Sequence, residues 1–109
     1  MMGKDQHFFV VQVTVPAREL SESLGRDLVS RKLGACVQIE GPLTSIYSWN
    51  SKLETAEEYR LVIKTTGDQV EEIISSIQLA HPYEVPEIIC LPIVAGSQEY
   101  LDWVGEQVD

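Results

Sequence analysis

The run Ala35-Cys36-Val37-Gln38-Ile39-Glu40-Gly41-Pro42-Leu43-Thr44-Ser45-Ile46-Tyr47-Ser48-Trp49, then Asn50-Ser51-Lys52 and a return over Glu57 to Thr66, decides the fold. Alternation puts Ala35, Val37 and Ile39 on one side of a strand and Cys36, Gln38 and Glu40 on the other. Gly41-Pro42 interrupts that pattern and predicts a bulge or bend rather than an end. Beyond it, Leu43, Ser45, Tyr47 and Trp49 share one side, and Thr44, Ile46 and Ser48 the other. Asn50-Ser51-Lys52 supplies turn chemistry. On the return strand Tyr59, Leu61 and Ile63 face one way and Glu58, Arg60, Val62 and Lys64 the other. The result is a β-hairpin with an arm of about 15 residues, roughly 50 Å at about 3.3 Å per residue. The usual strand is about 5–6 residues long. A chain of 109 residues has no core that long, so the outer half must protrude or meet a partner. Tyr47, Trp49 and Tyr59 mark that half as an expected oligomer interface.

Working outward, Phe8 to Val15 is rich in β-branched and aromatic residues and stops at Pro16, which predicts a central strand. Ala17 to Leu33 carries Leu20, Leu24 and Leu28 at four-residue spacing, with Val29 beside them, the stripe of a helix. Glu19 and Glu22 fall in its first turns and Arg31 and Lys32 in its last, matching the macrodipole, and Gly34 supplies the expected stop. After the hairpin, Gly67-Asp68 opens a second helix, with Asp68 and Glu71 placed as a capping-box-like pair. Val70, Ile73, Ile74 and Ile77 form its apolar stripe, and it ends at His81-Pro82. Pro86 to Ile93 reads as a fourth strand. Ser97 is positioned to cap a short last helix, on which Tyr100 or Leu101, Val104 and Val108 can share a face. Strand, helix, strand, strand, helix, strand is the split βαβ, ferredoxin-like order: α+β, with a four-stranded antiparallel sheet, two helices on one face and a long β-hairpin. The C-terminal helix can cover part of the other face.

Length and composition predict one domain over residues 1–109, with residues 1–7 flexible. Net charge is −9. A surface this acidic repels phosphate backbones and anionic lipid, so nucleic acid is a poor partner. No run is long and apolar enough for membrane insertion. The two cysteines, Cys36 and Cys90, are far apart, which excludes a zinc ribbon and gives no disulfide framework. A soluble protein in the reducing cytoplasm is the expectation.

The other stretch with chemistry in it is His81-Pro82-Tyr83-Glu84-Val85-Pro86-Glu87-Ile88. Each proline fixes its own φ and pushes the residue before it, His81 or Val85, toward extended geometry. An imidazole, a phenol and two carboxylates held in so stiff a junction can form a site at low entropic cost; the alternative is a solvated loop after a helix stop. Imidazole and carboxylate suit Cu(II) or Zn(II), which makes His81 and Glu84, three residues apart, candidate metal ligands. Cys90 sits in the most apolar strand and reads as core. His7 lies near the terminus and carries little weight.

With hairpin and junction both in view, the sequence resembles the CutA family, the divalent-cation tolerance proteins. The residues that carry this are Arg31-Lys32-Leu33-Gly34-Ala35-Cys36-Val37, Thr44-Ser45-Ile46-Tyr47-Ser48-Trp49, Lys52-Leu53-Glu54, Ile63-Lys64-Thr65-Thr66, the junction from His81 to Ile88, and Tyr100-Leu101-Asp102-Trp103. They run in the family's order. Ser51 stands where the family usually has a glycine in the hairpin turn, and Ser48 where it often has an aromatic. The resemblance implies a compact homotrimer, PII-like in architecture, in which hairpins build sheet across subunits. It implies a role in tolerance to divalent metal ions, with Cu(II) or another divalent cation as partner. Cys36 occupies the position of the family's recurrent cysteine and joins His81 and Glu84 as a candidate ligand; a small buried filler is the alternative. Glu58 and Lys64 match charged positions recurrent in the family. With His81, Tyr83 and Glu84 they are the candidate lining of a cleft between subunits that takes a small polar ligand or an anion, as in a signalling or scaffold module. Catalysis is not expected. Acyl-phosphate hydrolysis on this fold needs a glycine-rich basic loop after the first strand, and Thr14-Val15-Pro16-Ala17-Arg18 is not one. No serine or cysteine has a histidine within motif distance.

Overall fold

The computed structural model describes residues 7–109. The expected flexible start falls mainly on residues 1–6, which lie outside the described residues; His7 is exposed. The elements are β1 (Phe8–Val15), α1 (Arg18–Ser30), β2 (Cys36–Trp49), β3 (Lys52–Thr66), α2 (Val70–Ala80), β4 (Ile88–Pro92) and α3 (Gln98–Gln107). One antiparallel sheet has the order β2-β3-β1-β4. This is the α+β, split βαβ arrangement that the patterning predicts.

The odd positions of β1 supply the core. Val11, Val13 and Val15 are fully buried, and they pair across β3 with Ile63, Leu61 and Tyr59. Leu24 and Leu28 of α1 and Ile73 and Ile77 of α2 close over this face. Four-residue apolar spacing thus meets two-residue alternation, the combination that lets helices lie on a sheet. Val29, read as part of the α1 stripe, is 41 % exposed and lies at the stripe's edge. The even positions, Val10, Gln12 and Thr14 with Val62, Lys64, Cys36 and Gln38, form the opposite face. The last helix, α3, covers the Phe8 end of that face: Val104 is fully buried, and Gly105 lies against the Phe8 ring. Ile89 and Leu91 of β4, on the same face, stay 44 % and 46 % exposed.

Several helix ends differ from expectation. Helix α1 stops at Ser30, so Arg31 and Lys32 lie past its last turn. Lys32, not Gly34, takes the left-handed conformation (φ 61°). The N–H groups of Leu33 and Gly34 then reach back to the Leu28 carbonyl at 3.0 and 3.2 Å, a Schellman-type closure. Gly34 is needed for space, since a Cβ there would sit 2.9 Å from Ile63 Cγ2. Arg31 instead links the helices, reaching Asp27 at 2.8 Å and Glu72 at 3.5 Å. Asp68 makes no capping hydrogen bond; it lies in a single 3-10 turn, Gly67–Gln69, before α2. Ser97 does cap α3, accepting from the Tyr100 N–H at 3.4 Å.

The hairpin is longer on its return side than the pattern suggested. β3 begins at Lys52 rather than Glu57, because Asn50 (φ 52°) and Ser51 (φ 64°) form a two-residue turn that pairs Trp49 directly with Lys52. The expected irregularity at Gly41-Pro42 is present, shifting the register between Glu40 and Leu43. The molecule measures 48 × 25 × 22 Å. The arm's outer part stands out from the core, with Ile46 67 % and Leu53 81 % exposed.

A left-handed residue with a side chain costs roughly 1–2 kcal/mol. Ser51→Gly is therefore expected to raise unfolding stability by about 1 kcal/mol, read as a higher urea midpoint. Gly34→Ala is expected to lower it by about 1–3 kcal/mol through overpacking on Ile63.

Candidate functional site

The site begins where α2 ends. The His81 N–H closes the helix on the Ile77 carbonyl at 2.9 Å, and its backbone then turns extended (φ −80°, ψ 136°), as the following proline requires. That turn drives the imidazole inward, leaving His81 8 % exposed. Its Nε2 lies 2.7 Å from the Thr14 carbonyl oxygen on β1, and its Nδ1 accepts the Tyr83 N–H at 3.1 Å. An amide N–H can only donate, so Nδ1 is the unprotonated nitrogen and Nε2 carries the proton that Thr14 accepts. Both ring nitrogens are thereby committed to main chain. The imidazole braces the junction against β1 and, in this arrangement, has no lone pair for a metal.

Braced in this way, the junction forms one wall of a cleft of 730 Å³. Pro82, Tyr83, Glu84, Val85 and Glu87 line it from the junction, Ser45, Ile46, Tyr47, Trp49 and Glu58 from the hairpin, and Thr14 from β1. Among the described residues three glutamates line this space and no basic residue does. Glu58 is the deepest, 5 % exposed. It occupies the first pair beyond the bulge, opposite Leu43, on the same strand face as Arg60 and Lys64. The Tyr83 ring lies 4.9 Å from the His81 ring, and its hydroxyl faces the Glu58 carboxylate. Burial first, then the Glu58 carboxylate beside it, and then Tyr47, push the Tyr83 phenol up to about 12. Among the described residues Glu58 has no ion-pair partner.

The remaining candidates lie elsewhere. Cys36 pairs with Lys64, whereas the Thr14 that receives His81 pairs with Arg60, about four residues and roughly 13 Å further along the sheet. Cys36 is half-buried beside Tyr100 of α3, whose phenol is pushed up by burial first and then by the Cys36 thiol. His81, Glu84 and Cys36 therefore do not meet in one site within the chain. Among the described residues no three His, Cys, Asp or Glu side chains converge as a metal-binding group. Lys64 is outside the cleft too. It donates to Gln38 and lies about six residues, roughly 20 Å, from Glu58. Tyr59, expected at an oligomer interface, packs against the core, with its ring against Gly41 and the Arg18 guanidinium 5.9 Å above it. Cys90 packs half-buried against the core, and burial raises its thiol pKa.

Sequence reasoning placed Glu58, Tyr83 and Glu84 together but missed the depth of Glu58 and the acceptor role of Thr14. The bulge was the available signal for the first; nothing local signals the second, since the contact spans 67 residues.

A raised phenol pKa means that the folded state holds its proton more tightly than the unfolded chain. The contribution of Tyr83 to stability is thus fully present below about pH 10 and lost as pH rises toward about 12. The difference between the alkaline tyrosinate titrations of the chain and of Tyr83→Phe is expected to be a single transition near about 12, which Glu58→Gln is expected to bring down.

Residues 9–107 match the family described as CutA1 divalent ion tolerance protein. The chain is 42 % identical over 97 residues to the Divalent-cation tolerance protein CutA of Thermus thermophilus, covering 89 % of this chain and 94 % of that one. It is 42 % identical over 95 residues to Protein CutA, chloroplastic, of Arabidopsis thaliana, covering 87 % of this chain but spanning only 52 % of that protein. Among solved structures, the divalent cation tolerance protein (Cut A1) from Thermus thermophilus superposes with a TM-score of 0.90 at 40 % identity, over 94 % of this chain and 99 % of that one. No helix among the described residues is long and apolar enough to cross a membrane. Sequence, topology and superposition agree over nearly the whole chain: it belongs to the CutA1 divalent ion tolerance protein family.

Proposed function

We propose that this chain assembles as a homotrimer and binds divalent cations, Cu(II) or another, in the cytoplasm, without catalysing a reaction. The observation that carries the reading is the cleft at the junction, where a carboxylate 5 % exposed shares its walls with two further glutamates and no basic group among the described residues. A buried carboxylate without a counter-charge is costly, and a cation offsets that cost. The names of the relatives supply the divalent ion. The donors differ from those expected at the outset, because the His81 nitrogens are taken by main chain and Cys36 is remote. Glu84 and Glu58 remain, an oxygen set. With no three-group cluster among the described residues of one chain, the ion keeps several waters and binds weakly, with Kd on the order of 10⁻⁴ M.

The trimer is supported by surface that a single chain leaves unused. The arm carries Leu53, 81 % exposed, near its tip and outside the cleft. Beyond the central strands, Ile89 and Leu91 lie on a half-covered sheet face. Unpaired edges and apolar faces of this kind invite pairing with another copy.

A second reading is a PII-like signalling or scaffold module whose cleft holds a small organic ligand; the aromatic lining from Tyr47, Trp49 and Tyr83 favours it. An anionic ligand fits poorly, because Lys64 is engaged with Gln38 away from the cleft.

Sedimentation is expected to show three 12.2 kDa chains, and shortening the hairpin at the Ser45–Ala56 pair with an Asn-Gly turn is expected to leave one. Calorimetric titration with Cu(II) is expected to be weakened at least about tenfold by Glu84→Gln. His81→Ala is expected to lower stability by about 1–3 kcal/mol through the orphaned Thr14 carbonyl while leaving the ion's affinity unchanged. Equal Cu(II) affinity in Glu84→Gln would remove that residue as a ligand.

A further inference from the structure

A hydrated metal ion uses oxygen atoms alone, and the cleft offers more than oxygen. Tyr47, Trp49 and Tyr83 give it aromatic faces, while Ile46 and Val85 give it apolar ones. Its 730 Å³ is the volume of an organic-ligand pocket rather than an ion cage. At its base Glu58, 5 % exposed, faces the Tyr83 hydroxyl and has no ion-pair partner among the described residues. A carboxylate has room for several donors, so a single phenol leaves both its charge and its lone pairs in demand.

Charge excludes an anion, since no lysine, arginine or histidine among the described residues lines the space. Hydration separates the cations that remain. A small inorganic ion holds its water tightly and gains little from apolar and aromatic walls. An alkylated ammonium is weakly hydrated and exchanges water for ring faces at a net gain. We propose that the cleft binds an organic ammonium ion, its charge against Glu58, its methyl groups against Tyr47, Trp49 and Tyr83, and its apolar substituent along Ile46 and Val85. This rests on the reading of the cleft as a cation site and names the class of ligand that its walls select.

The test uses the assembled protein and benzyltrimethylammonium chloride, followed by calorimetry and tryptophan fluorescence, with benzyl alcohol as neutral control and sodium chloride for ionic strength. The expected result is saturable binding at least about tenfold tighter than benzyl alcohol, weakened at least about tenfold by Glu58→Gln. Trp49→Ala is expected to weaken the ammonium about fivefold with the assembly intact by sedimentation, because the organic ion uses a ring face. Ammonium and alcohol binding alike, or Glu58→Gln or Trp49→Ala without effect on the ammonium, overturns the proposal. Glu84-dependent Cu(II) binding without ammonium binding overturns it alone and leaves the divalent-ion reading standing. Ammonium binding without Cu(II) binding does the reverse, and the absence of both ends both. Should Glu58→Gln or Trp49→Ala fail to assemble, Tyr83→Leu, on the junction rather than the arm, decides: an about fivefold weaker ammonium is expected, and no weakening overturns the proposal.

Discussion

The hydrogen bond from His81 Nε2 to the Thr14 carbonyl is the constraint on which the site depends. It ties the end of α2 to the end of β1, two points that no local interaction holds together. The same imidazole accepts the Tyr83 N–H, so one side chain fixes both where the junction starts and how it turns. Pro82 and Pro86 have already removed much of the segment's freedom, which lowers the entropy that this single brace must offset. Without it Tyr83, Glu84 and Glu87 would be solvated loop. With it they form a wall facing the hairpin.

The opposite wall depends on the bulge. In β2, Gly41 and Pro42 stand opposite the single Tyr59, one residue too many between the pairs at Glu40 and Leu43, so the arm beyond leaves the line of the inner sheet. Glu58 sits at that change of register and is buried there. The adjoining Arg60–Glu40 pair, at 2.8 Å, is half-exposed and contributes no more than about 0–1 kcal/mol. The larger electrostatic feature is Glu58, buried without an ion-pair partner among the described residues, and the proposed cation binding rests on it.

Where the chain's own pattern was read locally, the structure agrees: the strand faces, the bulge, the helix stripes at Leu24, Leu28, Ile73 and Ile77, and the Ser97 cap. The differences arise where packing overrides a local preference. Arg31 leaves the helix macrodipole to join α1 to α2. Lys32 takes the left-handed turn because Gly34 is held against Ile63. Tyr59, at a strand position that alternation alone leaves unplaced, packs against the core and under Arg18. In each case a contact distant in sequence is worth more than the propensity it displaces.

By itself the sequence determined the order of elements, the faces of the strands, the overlong hairpin and the presence of a stiff polar junction, because periodicity and proline geometry act over a few residues. It also carried family membership, through ordered motifs from one end of the chain to the other. Only the tertiary structure decided which polar groups meet. His81 finds Thr14 across 67 residues and so becomes a brace; Lys64 and Cys36 share a strand pairing at the far end of the sheet from Glu58; Glu58 is buried where two distant segments close over it. Alternation along a strand says which face a side chain takes. How far along the sheet it lies from its supposed companions, and what covers it there, is settled by register and packing, which no local pattern encodes.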